Sequence, residues 1–153
     1  MIFIGIDPGS SSGAIGAIDH NGNFVACGDI TSEDGRINAR QLRDDLARIV
    51  APGEDAAIVV EDVWCMPGQG ISSTSKFMRA TGAIEAVARL TFYPVTFVRP
   101  QAWKKHHNLI GKDKSASLEL ARRLWPAANL KLVKHHNRAD ALLLSAWLSD
   151  TLS

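Results

Sequence analysis

Three acidic residues stand where a catalytic carboxylate cluster would need them. Asp7 closes an apolar run, Ile2 to Ile6, and is followed by Pro8-Gly9. Glu61 closes a second run, Ala56 to Val60. Asp140 interrupts a strongly apolar stretch, Arg138-Ala139-Asp140-Ala141-Leu142-Leu143-Leu144. A charge inside such a stretch is costly to bury unless it is paired or bound to a metal. Carboxylates gathered at one spot repel each other, and a divalent cation between them removes that repulsion. Oxygen ligands select hard ions such as Mg²⁺ or Mn²⁺. Two such ions about 4 Å apart can activate a water and stabilise the leaving oxygen of a phosphodiester. Each acid alone has a plainer explanation. Asp7 could cap a turn, Glu61-Asp62 could be a solvated strand end, and Asp140 could pair with Arg138.

Whether the three meet depends on the elements that carry them. Ile2 to Ile6 reads as a buried strand running into a turn. Gly13 to Asp19 and Phe24 to Ile30 read as two more strands. The link His20-Asn21-Gly22-Asn23 holds the Asn-Gly pair typical of tight hairpins, so the chain opens as a three-stranded antiparallel meander. Leu42, Leu46, Ile49 and Val50 recur on one helical face before Pro52-Gly53 ends it. The strand from Ala56 to Val60 is therefore reached through a helix and should lie parallel to the first, by a right-handed crossover. Asp7 and Glu61 then emerge at the same sheet edge, the side on which such sheets hold ligands.

Residues 65–70 read as a loop, 75–90 as a helix with Phe77, Thr81, Ile84 and Ala88 along one face, and 94–98 as a fifth strand. A short basic helix over 103–108, an amphipathic one over 113–124 and a last one over 137–150 complete the chain, with Asp140 one turn into the last. The expected fold is α/β, a five-stranded mixed sheet flanked by helices, with the fourth and fifth strands parallel to the first. No repeat, low-complexity tract or linker divides residues 1–153, which read as a single domain.

Apolar residues make up 46% and charged residues 22% of the 153, the balance of a globular protein long enough to bury a core. The apolar runs reach only strand length, well short of the ~18 residues of a membrane span. The opening MIFIGIDPG lacks the basic start and cleavage site of a signal peptide. Cys27 and Cys65 are too few and too scattered for a disulfide framework or a zinc site. A reducing cytoplasm is the expected compartment. Net charge is +1, but residues 1–98 carry 7 Lys/Arg against 12 Asp/Glu, whereas residues 99–138 carry 10 against 2. An acidic half beside a basic half suits a protein that holds metal ions with one and a polyanion with the other. A merely solvated basic surface is the plain alternative.

The segments GIDPGSSSGAIGAI, VVEDVW and HHNRADALLLSAW, taken in series, resemble the RuvC-type Holliday-junction resolvases of the ribonuclease-H-like superfamily. The phage-borne and organellar members are the most similar in look, and the resemblance runs from Ile4 to Trp147. It implies a ribonuclease-H-like fold and a homodimer on a four-way DNA junction. It further implies two Mg²⁺-dependent active sites that nick opposing strands symmetrically, leaving 5′-phosphate and 3′-hydroxyl ends, with Mn²⁺ able to substitute. By the same resemblance Asp7, Glu61 and Asp140 are the catalytic, metal-binding acids. Trp64 falls where relatives place an aromatic that stacks on bases at the opened junction. Such a face stacks on any base without reading sequence. The alternative is a core tryptophan beneath the 65–70 loop.

One position departs from the family. Many relatives carry Asp or His three residues before the last-helix acid, and here Asn137 stands there. Its amide oxygen can bind a hard metal but brings no negative charge. His136, four residues before Asp140, shares its helix face, and His135 is less well placed. Either Asn137 or His136 could fill the gap, and Asn137 could equally be a helix N-cap.

The basic segment fits the same picture. Lys104-Lys105 and Lys112-Asp113-Lys114-Ser115 precede a helix whose N-terminus could help hold phosphates. Lys114 resembles a family lysine close to the scissile phosphate. Lys76 and Arg79 lie one turn apart on the helix after the Trp64 loop, where a DNA arm could pass. Gln69 in that loop is a further candidate DNA contact, and Ser72, Ser73, Thr74 and Ser75 could cap the helix or touch phosphate. Three other readings compete. Asp7-Pro8-Gly9-Ser10-Ser11-Ser12-Gly13 fits the phosphate hairpin of actin-like ATPases and sugar kinases, but that machinery needs two such domains around the nucleotide. A nuclease on this scaffold acting on flaps, other branched DNA or RNA-containing substrates would share the same metal chemistry. A binding module without metals is opposed by the three intact acids.

Overall fold

The structure is a computed structural model that describes residues 1–10, 12–65 and 67–153. Strand β1 (Ile2–Pro8) is buried at all seven positions, which is why it reads as a continuous apolar run. β2 (Gly13–Asp19) and β3 (Phe24–Asp29) follow as an antiparallel meander. Gly22 takes the left-handed φ of 79° that the turn between them requires.

A small hairpin, β4 (Ser32–Glu33) and β5 (Arg36–Ile37), stands where no strand is expected from the sequence. Asp34 and Gly35 both have positive φ, 52° and 71°, the signature of a type I′ turn. Helix α1 (Ala39–Ile49) is capped by the Asn38 side chain, which accepts from the Gln41 backbone N–H at 2.9 Å. β6 (Ala56–Glu61) then pairs parallel with β1.

Helix α2 spans Ile71–Leu90 and so begins four residues before the expected Ser75. Gly70 is its N-cap, and Ser72, Ser73, Thr74 and Ser75 lie inside its first turns instead of capping it. Its buried face is Ala80, Ile84, Val87 and Ala88, with Phe77 and Thr81 half-buried at the margin. β7 (Val95–Val98) pairs parallel with β6. Three helices follow, α3 (Pro100–His106), α4 (Lys114–Leu124) and α5 (His136–Leu152). Pro100 starts α3 three residues before the expected Trp103, as proline at a first helical position does.

The main sheet has the order β3-β2-β1-β6-β7, the expected mixed topology of a ribonuclease-H-like fold. One face packs Ile4, Ile6 and Ile58 against Leu42 and Leu46 of α1 and Ile84 of α2. The other packs Phe3, Ile18 and Val59 against Trp103, Leu118, Leu142 and Leu143 from α3, α4 and α5. Gly5 and Gly16 oppose each other in the β1–β2 register. A Cβ on Gly5 would sit 2.0 Å from the Ala141 carbonyl oxygen, and one on Gly16 would sit 2.5 Å from the Leu142 nitrogen. Side chains are absent there because the α5 backbone lies directly on the sheet. Among the described residues no helix is long and apolar enough to cross a membrane.

Candidate active site

The C-terminal ends of the parallel strands β1 and β6 carry Asp7 and Glu61, and both side chains are buried, each 8% exposed. Neither is a turn cap nor a solvated strand end. The α5 backbone, seated on the two glycines, brings Asp140 to the same edge. Arg138 does not pair with Asp140; its guanidinium makes a two-pronged contact with Asp29 at 2.7 and 2.8 Å. Asp140 Oδ1 is buried with no hydrogen-bond partner.

The electrostatics follow from this placement. Burial pushes the Asp7 carboxyl well above its usual range, and the negative charges of Glu61 and Asp140 push it further. A hydrogen bond between the Asp7 and Glu61 carboxyls adds to the rise at Asp7 and draws Glu61 down. Glu61 and Asp140 are raised too, chiefly by burial. Against burial, the Trp103 indole and Lys104 draw Glu61 back down, while Ser117, Lys104, His136 and Lys114 do so for Asp140.

Asp140 reaches the other two acids by charge and not by contact. Among the described residues no group of three or more His, Cys, Asp or Glu side chains stands close enough, as placed, to hold a metal ion. The donors nevertheless fit a hard divalent cation. All are oxygens, they repel one another, and one oxygen is buried without a partner.

The surroundings hold a residue that no local pattern singles out. Trp103 is fully buried, and its Nε1 donates to Glu61 Oε1 at 2.8 Å. Forty-two positions separate the pair, so no local spacing announces it. Lys104 lies over the Trp103 ring, Nζ 5.4 Å from its centroid, and its charge reaches all three acids. Lys105 is exposed on the same helix.

Lys114 begins α4, whose N-cap Asp113 accepts from the Ser115 N–H at 2.9 Å, and its charge reaches Asp140. Lys112 departs from the expected cluster. It lines a hollow of about 980 Å³ between α3, α4 and the C-terminal end of α5. Asp150 in that wall is ten residues, or about 15 Å of helix, beyond Asp140. None of the three carboxylates lines this hollow, so its size does not make it the site of the chemistry.

At the start of α5, His135 is buried and its Nδ1 accepts from the Leu132 N–H at 3.3 Å, which occupies it structurally. His136 Nδ1 meets the Val133 carbonyl at 3.2 Å. Asn137 lies inside the first turn and not at the N-cap, which is His135, and its half-buried amide makes no hydrogen bond among the described residues.

Trp64 is 66% exposed and therefore not a core tryptophan. Its Nε1 donates to Asp62 Oδ2 at 3.1 Å, and the Arg99 guanidinium stands 5.1 Å from its ring centroid. Neither Asp62 nor Arg99 was expected from the sequence, since each meets Trp64 only through the fold of the loop. Gln69 is exposed in the same loop and shares with Trp64, Ser73 and Phe77 a hollow of about 310 Å³. Lys76 and Arg79 are exposed on α2.

No protein-family model matches the chain. It is 34% identical over 108 residues to the chloroplastic Holliday junction resolvase MOC1 of Chlamydomonas reinhardtii. The match covers 66% of this chain and 12% of that much longer protein. Among solved structures it is similar to Thermus thermophilus RuvC, with a TM-score of 0.70 and 17% identity over 99% of this chain and 96% of that one. RuvC of T. thermophilus in complex with Holliday junction substrate matches with a TM-score of 0.71 and 18% identity, again over 99% and 96%. The protein thus has the ribonuclease-H-like fold of RuvC and shares sequence with a Holliday junction resolvase.

Proposed function

We propose that residues 1–153 act as one metal-dependent endonuclease unit that cleaves four-way DNA junctions by symmetric phosphodiester hydrolysis, leaving 5′-phosphate and 3′-hydroxyl ends. The observation that carries this reading is the gathering of Asp7, Glu61 and Asp140 at one sheet edge, with Asp140 Oδ1 buried and unpartnered. The likeness to a chloroplastic junction resolvase and to RuvC bound to a junction supports the choice of substrate.

Asp7, Glu61 and Asp140 would hold Mg²⁺, with Mn²⁺ as a substitute and two ions per site, and Asn137 would add a neutral oxygen. When bound, such ions lower the pKa of an attacking water and neutralise charge on the leaving oxygen. The chain's own residues do the rest. Trp103 holds one oxygen of Glu61 in place through its indole N–H. Lys104 and Lys114 offset negative charge where a phosphate would approach. His136 shares the Asp140 face and is placed to hold a proton near the reacting oxygens. Trp64 offers its ring to an unpaired base, while Gln69 and Lys105 stand where DNA would run. Symmetric cleavage calls for two such sites, hence a homodimer, working in a bacterial or phage-infected cytoplasm.

The test is incubation of the purified protein with a labelled four-way junction, with Mg²⁺ or EDTA, beside an Asp7→Asn control. Linear duplex, flap and RNA–DNA hybrid run in parallel. Paired symmetric nicks that need both metal and Asp7 are expected. Cleavage mainly of flap or hybrid would move the substrate while keeping the chemistry, and binding without cleavage would overturn the enzymatic reading.

A further inference from the structure

The acidic half of the chain places three of its seven cations around one hollow. Arg36 reaches it from the β4–β5 hairpin, and Lys76 and Arg79 reach it from α2. Lys76 and Arg79 are three positions apart and so share a helix face. Ala80 and Ala83 continue that face as a floor of small side chains, and Ser10 adds a hydroxyl from the segment that follows β1. The space measures about 190 Å³.

Among the described residues no acid stands in its wall. Of the other arginines in this half, Arg40 likewise makes no ion pair among the described residues, but three do. Arg43 pairs with Asp44, Arg48 with Asp45 and Arg89 with Glu85. Arg36, Lys76 and Arg79 make no ion pair among the described residues, although Glu33 is the register partner of Arg36 across the hairpin. Three cations converging without an acid repel one another, and an anion between them relieves that.

The location says which anion. Ser10 lies three residues past Asp7, so the hollow borders the carboxylate edge. It lies on the α1–α2 face of the sheet, whereas Lys104 and Lys114 approach the same edge from the α3–α5 face. A strand crossing that edge would therefore meet cations before and after the carboxylates. Phosphate oxygens are bound in just this way by Arg and Lys, which position the backbone without reading sequence.

We propose that Arg36, Lys76 and Arg79, with the Ser10 hydroxyl, form a seat for a backbone phosphate of the bound nucleic acid, and that the β4–β5 hairpin exists to bring Arg36 into it. This rests on the reading of the protein as a nuclease but not on the branched form of its substrate. The type I′ turn at Asp34-Gly35 gives the hairpin a fixed shape, so Arg36 arrives without ordering a long loop.

The test is the salt dependence of binding by the Asp7→Asn protein, which keeps the DNA intact, to a four-way junction, a duplex and an RNA–DNA hybrid. Each phosphate contact removed makes the slope of log K against log salt shallower by about 0.9 on a duplex. Arg36→Ala should lose about one such contact, with several-fold weaker binding on every sequence. Arg36→Lys should retain the slope, since any cation satisfies it, and Arg43→Ala should leave it alone. Lys76→Ala and Arg79→Ala should act like Arg36→Ala. A slope unchanged by Arg36→Ala, in a protein whose thermal unfolding is also unchanged, overturns the seat. If Asp7-dependent cleavage proves to act on the hybrid, the junction reading falls, while the slope measured on that hybrid still decides the seat.

Discussion

Replacing Trp103 with phenylalanine asks whether the site depends on a residue that touches neither metal nor DNA. The indole donates a 2.8 Å hydrogen bond to Glu61 Oε1 from a fully buried ring. Phenylalanine keeps most of the aromatic bulk in that wall but leaves a buried carboxylate oxygen unpaired. A hydrogen bond to a charged group contributes about 1.5–3 kcal/mol. Partners that orient metal-binding side chains typically change metal affinity about 10–100-fold.

The same donation holds the Glu61 carboxyl down against the upward push of burial, so losing it moves that carboxyl higher. A carboxylate must be deprotonated to hold a cation, and the acid limb of activity must therefore move to higher pH. The assay is the cleavage rate against Mg²⁺ concentration at neutral pH, then against pH at saturating metal, with thermal unfolding alongside. The half-saturating metal concentration should rise about 10–100-fold, and the rate at high pH and high metal should fall little. A lowered Tm with an unchanged metal midpoint and acid limb would make Trp103 core packing alone and refute the reasoning.

Other perturbations probe the remaining parts. A carboxyl raised on folding, as Asp7 is by burial and by Glu61 and Asp140, stabilises most below its unfolded pKa, and that stability is lost as pH rises through its folded value. In EDTA the protein should unfold at a lower temperature at neutral pH than in mild acid. Asp7→Asn should flatten that slope and raise the neutral Tm by about 2–4 °C per kcal/mol of repulsion removed; a wild-type Tm that rises with pH contradicts this. Trp64→Ala should weaken junction binding by about 1–3 kcal/mol. Arg99→Ala should cost about 0.5–1 kcal/mol in the wild type and nothing more beside Trp64→Ala, whereas additive losses would mean that Arg99 meets DNA on its own. Gly5→Ala forces a Cβ to 2.0 Å from a backbone oxygen and should destabilise by about 1–3 kcal/mol or more, with activity falling in step. A Gly5→Ala melt equal to wild type would mean that α5 does not depend on the notch.

Much of this arrangement was legible in the chain because the signals were local. Asn21-Gly22 marked the hairpin that sets the meander, and continuous apolar runs ending in Asp7 and Glu61 marked buried strands with acids at one edge. The helix carrying Asp140 announced itself by a charge among leucines. What stayed hidden was long-range or was overlooked. Trp103 in a basic stretch looks like any helical tryptophan until a strand 42 positions earlier comes beneath it. Arg138 finds Asp29 across 109 positions, which no helix-face argument anticipates. The Asp34-Gly35 turn did carry a hairpin signal, but its strands are two residues long and show no alternation. The start of α2 is hard to read because serines favour caps in general, whereas Gly70 takes that position here.

The contact of α5 with Gly5 and Gly16 has a consequence for how the protein comes apart. The helix packs on β1, β2, β3 and β6, and it meets the middle strands through backbone atoms, so it cannot lift or slide while the sheet survives. Its amides should exchange with deuterium only through global unfolding, as slowly as those of β1. Trp64, by contrast, is exposed on its loop, its indole bonded to Asp62 and its ring facing Arg99. On warming, the surroundings of Trp64 should loosen first, and the carboxylate edge should persist until the whole fold melts.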